Sequence, residues 1–483
     1  MTREYETVIG LEVHVELSTK TKIFCGCSCE FGGSPNTRIC PVCLGMPGAL
    51  PVLNKKVLEY AIAAGLATDC TISPVTVFDR KNYFYPDNPQ NYQISQLYLP
   101  VCRDGGITIE TGEEGAKSIR RIRIREIHME EDAGKLFHDR KEGFSHIDHN
   151  RAGVPLLEIV SEPDMKNAEE VIAYLDRLRR ILQHLGISDC KLQEGSLRVD
   201  VNLSVREAGD SRLGVRTEMK NLNSFRAVSA AIESERSRQI GLLQKGEAVE
   251  QQTRRWDDAK KESFVMRSKE DVRDYRYFPD PDLPPVSISP EFIESVCVSM
   301  GESYDEMVER FAKEYRLPQK ELSYLTGEKA LARLFEETVS ICHKSGSVSN
   351  WLMGENLRLM RKEGMDAEDL RFSPEHLAQL IDIFEEGRIN STIAKEVFEV
   401  MFYEDISPEA YVEEKGLGLI SDLSLLEETA AACMKDNPKS VQDYLSGKAK
   451  AIGFLVGQTM KAMGGKADPG AVKSVLEKLL SSL

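Results

Sequence analysis

No apolar run in this sequence is long enough to span a bilayer, which excludes a helical membrane protein. No basic-then-apolar leader opens it. The N-terminus is acidic and passes straight into a strand pattern, so a cytoplasmic protein is expected. Neither a Gly-x-x-x-x-Gly-Lys-Ser/Thr loop nor a Gly-x-Gly-x-x-Gly turn occurs, so any nucleotide must be held without the usual phosphate loop. Solenoid repeats and low-complexity tracts are absent too. Positive charge is in deficit: 62 Lys and Arg stand against 78 Asp and Glu, for a net charge of -16. A nucleic-acid partner would have to be met by local basic patches and shape, since the overall field repels it.

What is present is a 483-residue chain with an ordinary 41% hydrophobic content, enough for several domains with buried cores. Residues 1–290 read as α/β. Period-two alternation marks strands at Leu11 to Leu17, Leu197 to Val205 and Val215 to Lys220. A helix is expected from Asn167 to Leu185, opened by a capping box of Asn167 and Glu170. The proline-rich stretch Phe278 to Pro285, with Pro290, marks a domain boundary. Beyond it lie an all-helical domain, 291–406, and a small helical tail, 407–483. Helix starts show at Ser373-Pro374 and Ser407-Pro408, and a break near Gly387. The expected fold is thus a large mixed-sheet cradle, α/β or α+β, followed by two helical parts.

Eleven cysteines suggest disulfides until their placement is read: five fall between Cys25 and Cys43, and six are scattered singly. A dense cluster without a secretory leader points to metal. Cys25, Cys27, Cys40 and Cys43 form two tight pairs around a loop, which suits one tetrahedral zinc in an insert at 25–43. Four thiolates leave no position for water, so such a zinc is structural. Cys29 is a fifth thiol, idle or a substitute ligand.

The strand Leu11 to Leu17 is apolar at every odd position, which sends Glu12, His14 and Glu16 to one polar face. A solvated face is the plain reading; a divalent cation between carboxylates and phosphates is the functional one. Arg198, Asp200, Asn202 and Ser204 share a face in the second segment, and Arg216, Glu218 and Lys220 in the third. The stretch Ile122 to Asp132 is charged as well, but its alternation slips at Glu126-Ile127, as at a bulge, leaving its faces unassigned. In Phe78 to Asp87, Arg80 and Lys81 could meet phosphates and Tyr83 or Tyr85 could stack on a base. Pattern alone reads those aromatics as core and those charges as surface.

Seven segments in order resemble the B-subunit family of the tRNA-dependent amidotransferases, across nearly the whole chain. They are Glu6-Thr-Val-Ile-Gly-Leu-Glu-Val-His-Val-Glu-Leu17, Phe78-Asp-Arg-Lys-Asn-Tyr-Phe-Tyr-Pro-Asp87, His128-Met-Glu-Glu-Asp-Ala-Gly-Lys135, Glu194-Gly-Ser-Leu-Arg198, Glu218-Met-Lys-Asn-Leu-Asn-Ser-Phe225, Asp274-Tyr-Arg-Tyr-Phe-Pro279 and Gly453-Phe-Leu-Val-Gly457. The resemblance implies a heterotrimer with the family's amidase (GatA-type) component and its small (GatC-type) component. It implies ATP- and Mg2+-dependent phosphorylation of the side-chain carboxylate of Glu-tRNA(Gln) or Asp-tRNA(Asn). Ammonia, released from glutamine by the amidase and channelled across, then displaces the phosphate. It further implies His14, Glu131 and Glu218 at magnesium, with Glu12 beside them. Arg80, Lys81 and Asp200 are assigned to ATP from their charge, and Cys25, Cys27, Cys40 and Cys43 match the zinc-bearing form. The tail is implied to meet tRNA, which would employ Lys448, Lys450 and Lys461. A non-catalytic, zinc-containing tRNA-binding scaffold is the alternative, and a ligase that runs alone on free ammonia a further rival. A thiol glutaminase is discounted, because Cys342 and His343 would point apart on a helix.

Overall fold

The computed structural model describes residues 4–112, 115–139, 143–268, 272–418, 423–464 and 467–482. Two compact units divide the chain, Met1–Glu306 and Met307–Leu483.

In the first unit the early strands are β1 (Tyr5–Glu16), β2 (Thr71–Ile72), β3 (Val75–Thr76), β4 (Asp79–Asn82), β5 (Tyr92–Ser95), β6 (Cys102–Thr111), β7 (Ser118–Glu131), β8 (Lys135–Asp139) and β9 (Phe144–Asp148). The later ones are β10 (Pro155–Ser161), β11 (Leu197–Glu207), β12 (Thr217–Lys220), β13 (Gln252–Asp257), β14 (Glu262–Ser268), β15 (Phe278–Pro279) and β16 (Val286–Ser287). The main sheet runs β14-β13-β12-β11-β1-β10-β7-β6-β2. It is mixed because β12 and β13 are parallel while its other pairs are antiparallel. A smaller sheet, β15-β4-β5, supplies Ser95 and Lys81 to the cavity described below.

Helices α1 (Lys55–Ala67), α2 (Ala168–His184) and α3 (Phe225–Lys245) cover one face of the main sheet. Alternation explains the choice of face. Ile9, Leu11, Val13 and Val15 of β1, and Val199, Val201, Leu203 and Val205 of β11, are all buried in one core with Val171, Leu175, Leu178 and Leu182 of α2. Each such side chain contributes on the order of 1.5–3 kcal/mol by leaving water. The capping reading of α2 holds with one change. Asn167 accepts the Glu170 amide at 2.9 Å, but the Glu170 carboxylate accepts from Lys166 rather than from Asn167. Helix α4 (Pro290–Met300) follows the proline-rich stretch and packs back against α1, with Val296 in the same core.

The second unit is helical. The helices Pro374–Glu385 and Ser391–Glu404 are separated around Gly387, whose φ of 70° only glycine adopts freely. Ser373 and Ser407 cap helices that carry proline in the first turn, as expected. The last four helices, Leu423–Asp436, Pro438–Leu445, Ala451–Ala462 and Pro469–Ser481, gather around a core of Leu426, Ala430, Leu455, Val472 and Leu476. Among the described residues, no helix is long and apolar enough to cross a membrane.

Candidate functional site

With the odd positions of β1 committed to the core, Glu12, His14 and Glu16 occupy the opposite face of the sheet. Strand register then assembles the site. His14 lies opposite Glu158 of β10, and Glu158 opposite His128 of β7. On the other side, Glu12 lies opposite Asp200 of β11, and Asn202 opposite Glu218 of β12. Two acidic clusters result: His14 with Glu130 and Glu158, and Glu12 with Asp200 and Glu218. Within each, one donor atom per residue lies within 4.8 Å of the others. A cavity of about 360 Å³ opens over this face, and Lys81, Gln96, Arg216, Lys220, Tyr275 and Tyr277 are among its walls.

The first cluster is tied by imidazoles. His14 Nε2 lies 3.5 Å from Glu158 and 3.6 Å from Glu130, and His128 Nε2 lies 2.8 Å from Glu158. Burial disfavours a charged His14, yet the Glu158 and Glu130 carboxylates hold its pKa up at about 9. In return, the two imidazoles hold Glu158 well below the usual carboxylate range despite its burial. In the second cluster, Asn202 donates to Glu12 at 2.9 Å and Thr253 to Glu218 at 2.8 Å. Lys220 Nζ lies 2.6 Å from Asp200 and 2.8 Å from Glu218. Burial, with Glu158, Glu218 and Asp200 nearby, raises the Glu12 carboxyl.

Expected residues divide accordingly. His14, Glu12, Glu218, Asp200 and Lys81 are brought to this face or its cavity; Glu131 and Arg80 are not. The reason at Glu131 is a β-bulge. Val160 pairs with Glu126 but Ser161 with Ile124, so Arg125 is an extra residue in β7. Arg125 and Glu126, though adjacent, both line the cavity. Past the bulge, Ile127 and Met129 are buried in the core, and Glu131 continues their face, while His128 and Glu130 take the cavity face. Glu131 instead accepts the Ile94 amide at 2.9 Å and a bond from the Gln90 side chain. Burial pushes its carboxyl up to about 8. It lines a second cavity, of about 200 Å³, with Lys22, Cys25, Cys43 and Arg80. Arg80 is clamped there by Asp280 and Asp282, both at 2.7 Å, and lies over the Tyr92 ring. Its neighbour Lys81 takes the opposite face and sits 5.0 Å over the Tyr275 ring in the main cavity.

Glu130, Glu158 and His128 were not singled out from sequence, nor were Tyr275 and Tyr277. A signal existed for Glu158: it is the one charge inside the apolar run Pro155-Leu-Leu-Glu-Ile-Val160, and a lone carboxylate in a buried strand demands partners.

The Sγ atoms of Cys25, Cys27, Cys40 and Cys43 lie within 4.8 Å of one another, a donor set that fits a tetrahedral thiophilic ion. Cys29 stands outside the group, with its sulfur 3.8 Å from the Thr19 hydroxyl. A bond from Cys25 outweighs burial and brings Cys43 down to about 5; the Cys40 amide and the fully buried Lys22, 3.6 Å away, act in the same direction. In the second unit, Lys448, Lys450 and Lys461 are exposed around the helix Ala451–Ala462, and Lys448 pairs with Asp443 at 2.9 Å.

Comparison with known proteins adds to this geometry. A family model described as the GatB/GatE catalytic domain matches residues 7–294, and one described as the GatB domain matches residues 333–480. The chain is 59% identical over 478 residues to the B subunit of the aspartyl/glutamyl-tRNA(Asn/Gln) amidotransferase of Agathobacter rectalis, covering 99% of this chain and 100% of that protein. It is 58% identical over 484 residues to the protein of the same name from Lachnospira eligens, again covering 99% and 100%. The corresponding protein of Thermodesulfovibrio yellowstonii is 52% identical over 477 residues, covering 99% of each chain.

Proposed function

The chain belongs to the B-subunit family of the aspartyl/glutamyl-tRNA(Asn/Gln) amidotransferases, and from that premise we propose that it performs the activating half of transamidation. The substrate is the side-chain carboxylate of Glu-tRNA(Gln), Asp-tRNA(Asn) or both. ATP phosphorylates that carboxylate, and ammonia from glutamine displaces the phosphate. The ammonia is supplied by a GatA-type amidase, in a heterotrimer completed by a small GatC-type protein. The order is chemically required, because a carboxylate is a poor acyl donor until one oxygen becomes a leaving group.

One observation supports this reading above the others: a single cavity opens onto residues of both acidic clusters beside the cations Lys81, Arg216 and Lys220. A carboxylate nucleophile needs no general base, so positioning and charge compensation carry the reaction. His14, Glu130 and Glu158 fit Mg2+ through hard oxygen donors and one imidazole. Bound there, the ion would neutralise charge on the phosphates. His128 orients Glu158, Asn202 orients Glu12, and Thr253 orients Glu218. Lys81 and Arg216, which line the cavity with Tyr275 and Tyr277, would meet phosphate oxygens.

The remaining assignments follow the same reading. Cys25, Cys27, Cys40 and Cys43 would hold one structural zinc. The first unit, which takes in α4 beyond the expected 1–290, acts as the cradle, the helices from there to 406 as a helical domain and 407–483 as the tail that meets the tRNA, with Lys448, Lys450 and Lys461 among its contacts. The test is reconstitution with the amidase and the small GatC-type protein, ATP, glutamine and each mischarged tRNA. Glu12→Gln and His14→Ala are expected to cut γ-phosphate transfer by roughly two orders of magnitude or more while tRNA still binds. Full amidation by both variants would instead favour a zinc-containing scaffold.

A further inference from the structure

Burying an ammonium is costly unless an anion and hydrogen-bond acceptors receive it. Lys22, in the segment between β1 and α1, is fully buried, and among the described residues no carboxylate forms an ion pair with it. Its Nζ lies 3.6 Å from the sulfur of Cys43 and 3.4 Å from the carbonyl oxygen of His149. A neutral thiol is a weak acceptor and brings no charge. Four thiolates around one divalent ion are different, because two of their negative charges stay uncancelled by the metal. One ammonium against such a centre removes half of that excess, and the centre in turn supplies the anion that the lysine lacks.

The backbone prepares the place. The Lys22 amide donates to the Cys27 carbonyl and the Ile23 amide to the Gly153 carbonyl, both at 3.0 Å, so the lysine is rooted between the cysteine loop and the segment that leads into β10. Gly153 has a φ of 84°, and a Cβ there would stand 3.4 Å from Lys22 Cδ and 3.5 Å from Cys43 Cβ. The lysine stem and the cysteine thus lie side by side against the bare face of this glycine.

Resting on the zinc assignment above, we propose that Lys22 is the buried counter-ion of the zinc–thiolate centre. It is a positioning residue: it donates to the sulfur of Cys43 and ties that ligand to the His149 carbonyl. A hydrogen bond to a ligating sulfur draws charge from it, and partners of this kind set both the orientation and the strength of a ligand.

Competition between the full chain and a chromophoric chelator for Zn2+ tests this. Lys22→Met keeps the length of the stem and removes the ammonium; it is expected to hold zinc about tenfold to a hundredfold more weakly. With Co2+ in place of Zn2+, its sulfur-to-cobalt charge-transfer band is expected to move to lower energy, a shift that a merely structural role of the lysine would not produce. Unchanged zinc affinity in folded Lys22→Met overturns the proposal, and so does a weakened affinity with an unmoved cobalt band. Should Lys22→Met fail to fold, Lys22→Gln is read in its place, with the same two expectations and the same two contrary results. The zinc assignment fails separately: an unmodified chain that takes up neither Zn2+ nor Co2+ removes the centre and the role of the lysine together, whereas equal binding by both chains removes only the role of the lysine.

Discussion

His14 keeps its proton against its own burial, because Glu158 and Glu130 stand at 3.5 and 3.6 Å. Its pKa rises on folding from 6.5 to about 9. The folded protein therefore binds this proton more tightly than the unfolded chain does. The resulting stabilisation is complete below pH 6.5 and is lost as pH rises through about 9. Without added divalent cation, the thermal midpoint should fall between those pH values, and His14→Gln should make the fall shallower. Identical pH slopes in circular-dichroism melts would rule this out. The neighbouring glutamates give a sharper contrast. Glu130→Gln should weaken Mn2+ binding by about tenfold or more, as loss of a ligand does, while Glu131→Gln, whose side chain faces the other cavity, should stay within about twofold. Isothermal titration would show it, and equal losses would contradict the face assignment. Glu12 and His14 were readable from alternation because β1 keeps strict period two from Leu11 to Val15. Glu130 was not, because the step at Arg125 exchanges the faces of β7, and a periodic pattern does not carry across such a step. Arg80 lies in the other cavity for another reason: Asp280 and Asp282, some two hundred positions downstream, hold it there, and no local pattern announces them.

At the scale of elements, the segment between β1 and α1 stands apart. Beyond the isolated pairing of Thr21 with Ser28, it has turns and bends but neither helix nor named strand. Its order rests on the four cysteines, on Lys22 at Cys43, and on side-chain bonds such as those from Asn36 and Asn150 to backbone oxygens. Such a segment opens locally at lower free energy than the sheet it adjoins. With zinc in the thiolate site as proposed, removing it or substituting Cys40→Ser should raise protease cleavage between residues 25 and 54 several-fold before the sheet unfolds. Limited proteolysis with mass spectrometry would follow it; cleavage that begins in β11 or α2 would be the contrary result. Long elements such as β11 and α2 were legible because burial imposes a period on ten or more residues. The Asp79-Arg-Lys-Asn82 strand and its partner Tyr92–Ser95 were not, since four residues ruled by ion pairs and a covering role show no period.

For the whole molecule, the unequal character of the two units matters most. The first holds the acidic cavity; the second ends in helices with a hydrophobic core of their own. A chain of net charge -16 has little long-range attraction for RNA, so the tRNA contact proposed above would draw on exposed lysines such as Lys448, Lys450 and Lys461 acting at short range. Deleting residues 407–483 from the reconstituted complex should weaken tRNA binding by about tenfold or more and flatten its salt dependence, while glutamine hydrolysis by the amidase continues. Filter binding over a range of salt would decide; unchanged affinity at matched salt would refute the assignment. The helical character beyond residue 290 was legible from capping signals. The attachment of α4 to the first unit was not, because its apolar residues serve a helix, α1, that lies far back in the chain.

Losing the codon for Arg125 would remove the extra residue and leave an unbroken alternation from Ile122 to Glu131, so His128 and Glu130 would still look into the cavity. Losing the codon for Ile127 would invert everything downstream and present Glu131 in their place. Two deletions of equal length, two codons apart, thus have opposite meanings. One removes Arg125 from the cavity wall and keeps the faces of β7, and the other exchanges which carboxylate faces the cavity.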